Sequence, residues 1–265
     1  MTLSVLLTVT SCDSARTNST PEANGIDPAN AAGGNALTDS GIAAQHAPAQ
    51  LAEAFRVAFA DHRNAELTVA GYREPDGGIV SDQTYAFRPF SLEWLGGTAA
   101  LISLGRNLDD SHVSSGALAI HYLNPTGDSF TVIGSWPRIV DGASFGAEPL
   151  AVAVSRSLAE YPVVYSEGGG TWSGTTCGWA HLVELRPGQP IATEGIPISH
   201  SNEGADGTVA TLDGGSARTI EGRIGNIDRG RSFDVIFTGT ERFVERYAYR
   251  NHRWMPTVRE SRAAC

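Results

Sequence analysis

The sequence predicts an α+β domain, built mainly of antiparallel β-sheet with two packed helices and preceded by a disordered tether. Three observations support this fold class. Short β-rich runs separated by Gly, Pro, Asn and Asp clusters fill most of the chain beyond residue 66. Two longer stretches show the apolar spacing of an amphipathic helix. Residues 13–50 are almost all small or polar, and such a segment buries too little apolar surface to offset its ordering entropy.

The first predicted helix spans residues 48–63, with the sequence PAQLAEAFRVAFADHR. Proline is tolerated in a first helical turn, so Pro48 suits this start. At helical spacing one face would carry Leu51, Phe55, Ala58, Phe59 and His62.

The second predicted helix spans residues 148–162, with the sequence EPLAVAVSRSLAEYP. Pro149 lies near its start, and Pro162 would end it. Its apolar stripe would consist of Leu150, Val154 and Leu158. Each of the two helices is long enough to cover one face of a sheet.

The remaining segments have the pattern of strands and hairpins. Residues 116–136 contain two β-rich runs around Asn-Pro-Thr-Gly-Asp, which predicts a hairpin. A second hairpin is predicted over residues 162–185, with Gly168–Gly170 as its turn. Residues 217–256 have the punctuation of a meander, in which Phe233, Val235 and Phe237 alternate as in a half-buried strand.

The charge balance argues against nucleic acid as a partner. All 19 basic residues are arginine, and the formal net charge is −10. Non-specific nucleic-acid binding needs a basic stripe, because phosphate neutralisation supplies most of its affinity. The densest basic cluster alternates with Glu241 and Glu245, which indicates a solvated strand face. That cluster consists of Arg242, Arg246, Arg250 and Arg253.

The amino terminus has an apolar segment that stops at a cysteine. The residues Val9-Thr10-Ser11-Cys12 resemble the lipobox of bacterial lipoproteins, with an aliphatic residue three positions before the cysteine and small residues between them. This resemblance implies cleavage before Cys12, diacylglycerol on its sulfur, and an exported protein anchored in the cell envelope. It leaves open whether the inner or the outer membrane holds the anchor. The alternative is a buried amino-terminal strand that ends in a core cysteine.

The predicted domain organisation follows from this export signal and lipid anchor. Residues 1–11 form a signal-like segment, residues 12–47 a lipid-anchored linker, and residues 48–265 one β-rich globular domain. Two lobes of that domain could meet near residues 142–146, because GDSFTVIGSWP and GRSFDVIFTG share a spacing of residues. As a flexible coil, the linker would reach about 30–40 Å from the anchor.

A lipidated Cys12 leaves two cysteines in an exported chain, Cys177 and Cys265. An even remainder in an oxidising compartment predicts a disulfide between them. The alternative is a reactive nucleophile at Cys177 with His181 four residues on.

The zincin helix, the Walker A loop and the dinucleotide fingerprint are absent from the sequence. The most suggestive surface is YSEGGGTWSGTTCGW, residues 165–179, whose aromatic and acidic residues are typical of glycan or peptide binding. The candidate ligand-binding residues are Tyr165, Glu167, Trp172, Trp179 and His181. A hairpin whose aromatic side chains simply enter the core is the alternative interpretation.

No metal site and no cofactor are predicted. Asp109, Asp110 and His112 lie together in one loop, but consecutive acidic residues in loops usually serve turn formation. The loop with Asp206 and Asp213 lacks the alternating oxygen ligands of a calcium site.

The sequence therefore favours a lipid-anchored envelope protein that acts by binding. Its partners would be the membrane, through the anchor, and peptidoglycan, another glycan or an envelope protein. The alternative is an envelope hydrolase with a site assembled from dispersed residues, such as acidic side chains or His181 with Glu184.

Overall fold

The computed structural model describes residues 48–73, 79–109, 111, 114–144, 147–204 and 217–265. The signal-like segment, Cys12 and the linker lie outside these ranges, as do Asp110, His112, Asp206 and Asp213. The described residues form one α-helix, one short 3-10 turn at Arg63–Ala65 and sixteen strands. The helix is α1 (Pro48–Ala58), and the strands are β1 (Glu66–Val69), β2 (Tyr72–Arg73), β3 (Ile79–Val80), β4 (Gln83–Leu95), β5 (Thr98–Asn107), β6 (Ser115–Thr126), β7 (Ser129–Ser144), β8 (Leu150–Ser155), β9 (Val163–Trp172), β10 (Thr175–Leu185), β11 (Pro190–Ala192), β12 (Ile196–Ser201), β13 (Thr219–Asp228), β14 (Ser232–Gly239), β15 (Phe243–Arg250) and β16 (Arg253–Pro256).

Fourteen of the strands belong to one large sheet. Its main path runs β1-β4-β5-β6-β7-β9-β10-β12-β13-β14-β15-β16, while β8 pairs with β9 and β11 pairs with β10. All pairs are antiparallel except β7 with β9, which meet in parallel at Ala143 and Gly169. Because most strands pair with their neighbours in sequence, the fold is assembled largely from hairpins.

The first predicted helix is present and packs as its spacing indicates. Helix α1 ends at Ala58 rather than at residue 63, and the chain then forms turns. Phe59 is buried and Phe55 is partly buried, and both pack against the strands that follow. Their rings lie 4.7 Å apart, centroid to centroid.

The predicted α+β class is wrong, because the second helix is a strand and the fold is mostly β. Residues 150–155 form β8, in which Val154 pairs with Val164 of β9. Leu150, a member of the predicted buried stripe, is 47% exposed. β-Branched valines at alternate positions fit a pleated strand, and cross-strand pairing here overrides the helical periodicity. Leu158 is buried, but it lies beyond the end of the strand.

The hairpin of β9 and β10 is confirmed, but its turn is not the triple glycine. The turn lies at Ser173 and Gly174, and the glycines belong to the strand β9. A Cβ at Gly168 would lie 2.6 Å from the backbone oxygen of Gly142. Gly168 therefore lets β7 approach β9 closely, which is a packing requirement that resembles a turn signal in sequence.

Apolar side chains fill three clusters on successive faces of the sheet. The first lies between α1 and strands β4–β7 and contains Tyr85, Phe87 and Leu101. The opposite face of β5 and β6 packs against one face of β9 and β10 through Ile102, Ile120 and Val183. The other face of β9 and β10 packs against β12–β16 around Leu182, Phe233 and Trp254. Strands β9 and β10 are thus buried on both faces.

The β6–β7 hairpin and the carboxy-terminal meander are confirmed by their registers. Strands β13 to β16 pair in sequence order, and the predicted alternation buries Phe233, Val235 and Phe237. Within the described ranges, no helix has both the length and the hydropathy needed to cross a membrane.

Candidate functional site

The structure does not bring the five predicted ligand-binding residues together on one surface. Tyr165 is buried in the cluster beneath β12–β16, and its hydroxyl donates to the carboxylate of Glu167. His181 stands opposite Ser166 in the register, on the other face of the hairpin. Strand alternation separates these two groups, since successive side chains point to opposite faces.

The two tryptophans of the hairpin do meet. Trp172 is 46% exposed, and its ring centroid lies 6.0 Å from that of the partly buried Trp179. The planes are inclined by 60°. This pair presents a small aromatic surface of the kind on which sugar rings stack, and it is the part of the predicted site that stays accessible.

A serine hydroxyl lies next to His181, but a substrate could not reach it. Ser166 lies directly opposite His181, and burial lowers the pKa of the His181 imidazole, an effect that the charge of Asp141 partly offsets. Ser166, however, is completely buried. A serine nucleophile has to reach a substrate carbonyl, so this arrangement does not form a hydrolase site in the described structure.

Glu184 is also unable to act with His181. It is buried on the face that packs against β15, where its carboxylate accepts a hydrogen bond from the Tyr249 hydroxyl. Arg186 lies 3.4 Å from the same carboxylate. Three residues of separation on a strand place His181 and Glu184 on opposite faces.

The predicted disulfide between Cys177 and Cys265 is formed. It joins β10 to the segment after β16 across 88 positions of sequence, so Cys177 is not a free nucleophile here. His200 of β12 pairs with Cys177 in the register, and its Nδ1 lies 3.5 Å from the Cys265 sulfur.

The acidic loop after β5 shows turn chemistry where it is described. The Ser111 backbone N–H donates to the Asp109 carboxylate at 3.1 Å. That bond is the ordinary role of aspartate in a turn. The other two residues of the predicted cluster lie outside the described ranges.

A groove that sequence reasoning did not identify lies between β7, β11 and the hairpin of β15 and β16. Its volume is about 760 Å³. One wall is apolar, with the partly buried Trp136 and the exposed Met255. The residues that line the groove are Trp136, Ile139, Gln189, Pro190, Ile191, Ala192, Arg250, Asn251, Arg253, Met255 and Pro256. We call this the Arg250–Arg253 groove.

The local sequence sets the positions of Arg250 and Arg253 at the groove. Asn251 and His252 both have positive φ, 50° and 63°, as a tight two-residue hairpin turn requires. Arg250 and Arg253 are consequently direct register partners on either side of the turn. Alternation buries Trp254 and leaves Arg253 and Met255 on the groove side. The Trp254 N–H donates to Thr193 Oγ1 at 3.2 Å, which fixes β16 beside the segment after β11.

The acidic residues near this hairpin in sequence have other partners. Asp234 pairs with Arg246, and Glu241 pairs with Arg218 and Arg262. Glu245 accepts hydrogen bonds from Ser261 and from the backbone of Arg262. Within the described part of the chain, Arg250 and Arg253 form no ion pair and no side-chain hydrogen bond.

Arg246, Arg250 and Arg253 are all exposed, as the interpretation of a solvated strand face predicts, but only Arg246 among them pairs with a described carboxylate. A signal was available in RNHR, where two like charges flank a two-residue turn that is rich in positive-φ formers. The contribution of Trp136 could not be deduced, because it comes from a strand more than a hundred residues earlier in the chain.

The geometry gives an arginine pair above an apolar wall and, on another face, an exposed tryptophan pair. When the chain was compared with protein-family models, with curated proteins and with solved structures, none of the three comparisons found a match.

Proposed function

We propose that this protein is lipid-anchored in the cell envelope and acts by binding, with a carboxylate-bearing ligand held in the Arg250–Arg253 groove. One observation carries the proposal. Two arginines stand directly opposite each other with no acidic partner among the described residues. Like charges directly opposite across a strand pair are destabilising. An anion bound between them would offset that repulsion.

The composition of the groove defines the ligand. Guanidinium groups bind carboxylates through paired, charge-assisted hydrogen bonds. Trp136 and Met255 offer apolar contact beside them. The groove therefore suits a ligand that combines a carboxylate with apolar groups. The stem peptides of peptidoglycan have this chemistry, with free carboxylates next to alanine methyl groups.

The amino-terminal sequence supports the place of action. The lipobox-like residues up to Cys12 would hold the protein at a membrane, and the polar linker would let the domain reach about 30–40 Å from it. The Trp172–Trp179 pair would give a second contact, on which sugar rings of the same polymer could stack.

The hydrolase alternative has less support. Ser166 is fully buried, and His181 and Glu184 belong to opposite faces of β10. The groove itself offers arginines and amides but no described carboxylate or histidine that could act as a general base.

Calorimetric titration with soluble muropeptides tests the proposal. The chain is used with Cys12→Ser, so that it is not lipidated. We expect a double variant, Arg250→Gln with Arg253→Gln, to raise the dissociation constant at least tenfold, because each lost charge-assisted pair removes a strong contact. Amidation of the muropeptide carboxylates should weaken binding to the unaltered groove by a similar factor.

Arg106→Gln is the matched control. Arg106 is an exposed arginine on β5 outside the groove, so its removal subtracts one charge without touching the ligand. The proposal is contradicted if all the chains bind muropeptides equally, or if none of them binds.

A further inference from the structure

The disulfide has a histidine beside it, and the three side chains together have the composition of a metal site. One ligand atom from each of Cys177, His200 and Cys265 falls within 4.8 Å of the others. Cys177 and His200 are fixed relative to each other, because they are register partners on the neighbouring strands β10 and β12. Cys265 reaches them from the segment after β16.

The spacing already matches a tetrahedral zinc site on one edge. Zinc bonds of about 2.3 Å to sulfur and about 2.0–2.1 Å to imidazole nitrogen place tetrahedral sulfur and nitrogen ligands about 3.5 Å apart. The His200 Nδ1 lies 3.5 Å from the Cys265 sulfur. Two thiolate ligands of one zinc ion lie about 3.8 Å apart, so the sulfurs need only separate from their bonded distance.

Cys265 is the ligand that can make this movement. It is exposed, whereas Cys177 is buried in its strand. Ala263 is buried and its N–H donates to Ser261 Oγ, and the Ala264 N–H donates to the Ser261 carbonyl oxygen at 3.3 Å. A rotation of Cys265 would therefore open the sulfur pair without disturbing β10 or β12.

We propose that Cys177, His200 and Cys265 form a zinc site when the disulfide is reduced, with water as the fourth ligand. A dithiol reductant supplies two electrons and two protons, becomes a disulfide itself, and leaves two thiols on this chain. Zn²⁺ then displaces the two thiol protons and binds two thiolates and the Nδ1 of neutral His200. The exposure of Cys265 leaves the fourth position open to solvent.

This site is independent of the Arg250–Arg253 groove, which shares none of its residues. The proposed site can cross-link the carboxy-terminal segment to β10 in two ways, through a disulfide under oxidising conditions and through a zinc ion under reducing conditions. Soft thiolate ligands favour zinc over magnesium or calcium.

The experiment uses the full chain with Cys12→Ser, so that only two cysteines remain. The chain is reduced with a phosphine under anaerobic conditions and titrated with Co²⁺ and, separately, with Zn²⁺. We expect one metal ion per chain by native mass spectrometry, and a thiolate-to-cobalt charge-transfer band with tetrahedral d–d absorption. His200→Gln should weaken zinc binding at least tenfold and leave oxidation to the disulfide unchanged. His252→Asn, an exposed histidine on the β15–β16 turn, is the control and should change neither.

If reduction unfolds the chain, circular dichroism during the titration still tests the proposal. In that case zinc should restore the β-sheet spectrum of the reduced chain and fail to restore that of His200→Gln, since binding energy at such a site is folding energy. The proposal is overturned if the reduced chain binds no zinc, if it binds zinc equally with and without His200, or if zinc does not restore the spectrum.

Discussion

At the scale of single residues, His121 is the most heavily buried titratable imidazole described. It is 2% exposed on β6, beneath helix α1, with its ring 5.0 Å from that of Phe59. Its Nδ1 has no hydrogen-bond partner among the described residues. Burial, with a smaller contribution from the charge of His62, lowers the pKa of His121 to about 4. Protonation of this residue therefore favours the unfolded chain.

The pH dependence of stability follows with a definite sign. Between pH 6.5, the ordinary pKa, and pH 4, the unfolded chain binds a proton at His121 that the folded chain does not bind. The contribution of neutral His121 is therefore complete above pH 6.5 and is lost as the pH falls toward 4. Between pH 7 and pH 4.5, we expect the free energy of unfolding to fall by about 2–3 kcal/mol more in the unaltered chain than in His121→Leu.

Urea unfolding at the two pH values measures this difference. The exposed His252, replaced by asparagine because the position has a positive φ, is the matched control and should keep the pH dependence of the unaltered chain. Equal pH dependence in the chain with His121 and in His121→Leu would show that the buried imidazole does not titrate in this way.

At the scale of elements, local patterns predicted hairpins better than they predicted element type. The β6–β7 hairpin and the β13–β16 meander follow from alternation and turn residues, which are local signals. Strand β8 was predicted as a helix because its apolar spacing fits both periods. Its partner β9 decides the outcome, and pairing partners are not encoded in the segment itself.

The same limit applies to the candidate site. The Trp172–Trp179 contact could be anticipated, because both residues lie in one hairpin. The Arg250–Arg253 groove could not be anticipated, because it depends on the packing of β7 near β11 and β16. It also depends on nearby acidic residues pairing with other side chains. Glu245 illustrates this point, because it binds Ser261 and Arg262 beyond the meander and not the arginines next to it in sequence.

The carboxy-terminal segment gives the prediction at this scale. Residues after β16 are held by the disulfide, by hydrogen bonds to Glu245 and by the Arg262 guanidinium, which lies 4.2 Å from the Phe243 ring centroid. A cross-link over 88 positions restricts the unfolded chain strongly. Two chains are compared, Cys12→Ser and the same chain with Cys265→Ser added. We expect the added change to lower the free energy of unfolding by about 4–5 kcal/mol in the chain-entropy model.

Guanidinium unfolding in buffer with a metal chelator measures this loss without a contribution from zinc. A loss below about 1 kcal/mol would show that the other contacts of the segment are sufficient and that the disulfide adds little.

At the scale of the whole molecule, the sequence predicts a membrane anchor and the structure adds the Arg250–Arg253 groove. The predicted anchor rests on the lipobox-like residues, which lie outside the described ranges, and on the polar linker. The groove rests on long-range packing. In the function proposed above, a domain held near a membrane would present its arginine pair and its tryptophan pair to a polymer within reach.

The expected lipid anchor at Cys12 leads to a prediction about the intact protein. Cys12→Ala removes the sulfur to which diacylglycerol would be attached, so we expect the protein to move from the membrane fraction to the soluble fraction. Fractionation of expressing bacteria followed by immunoblotting measures this shift. Cys12→Ala retained in the membrane fraction would refute the anchor.

The central claim is that Arg250 and Arg253 are left unpaired for a ligand. It is tested most directly by the thermal unfolding midpoint of the unaltered chain and of Arg253→Glu, each with and without muropeptides. Arg253→Glu places an opposite charge across from Arg250, which should add about 0.5 kcal/mol of stability, or about 1–2 °C. Added muropeptides should raise the midpoint of the unaltered chain and leave that of Arg253→Glu unchanged. A lower midpoint for Arg253→Glu, together with the same muropeptide effect in both chains, would contradict the claim.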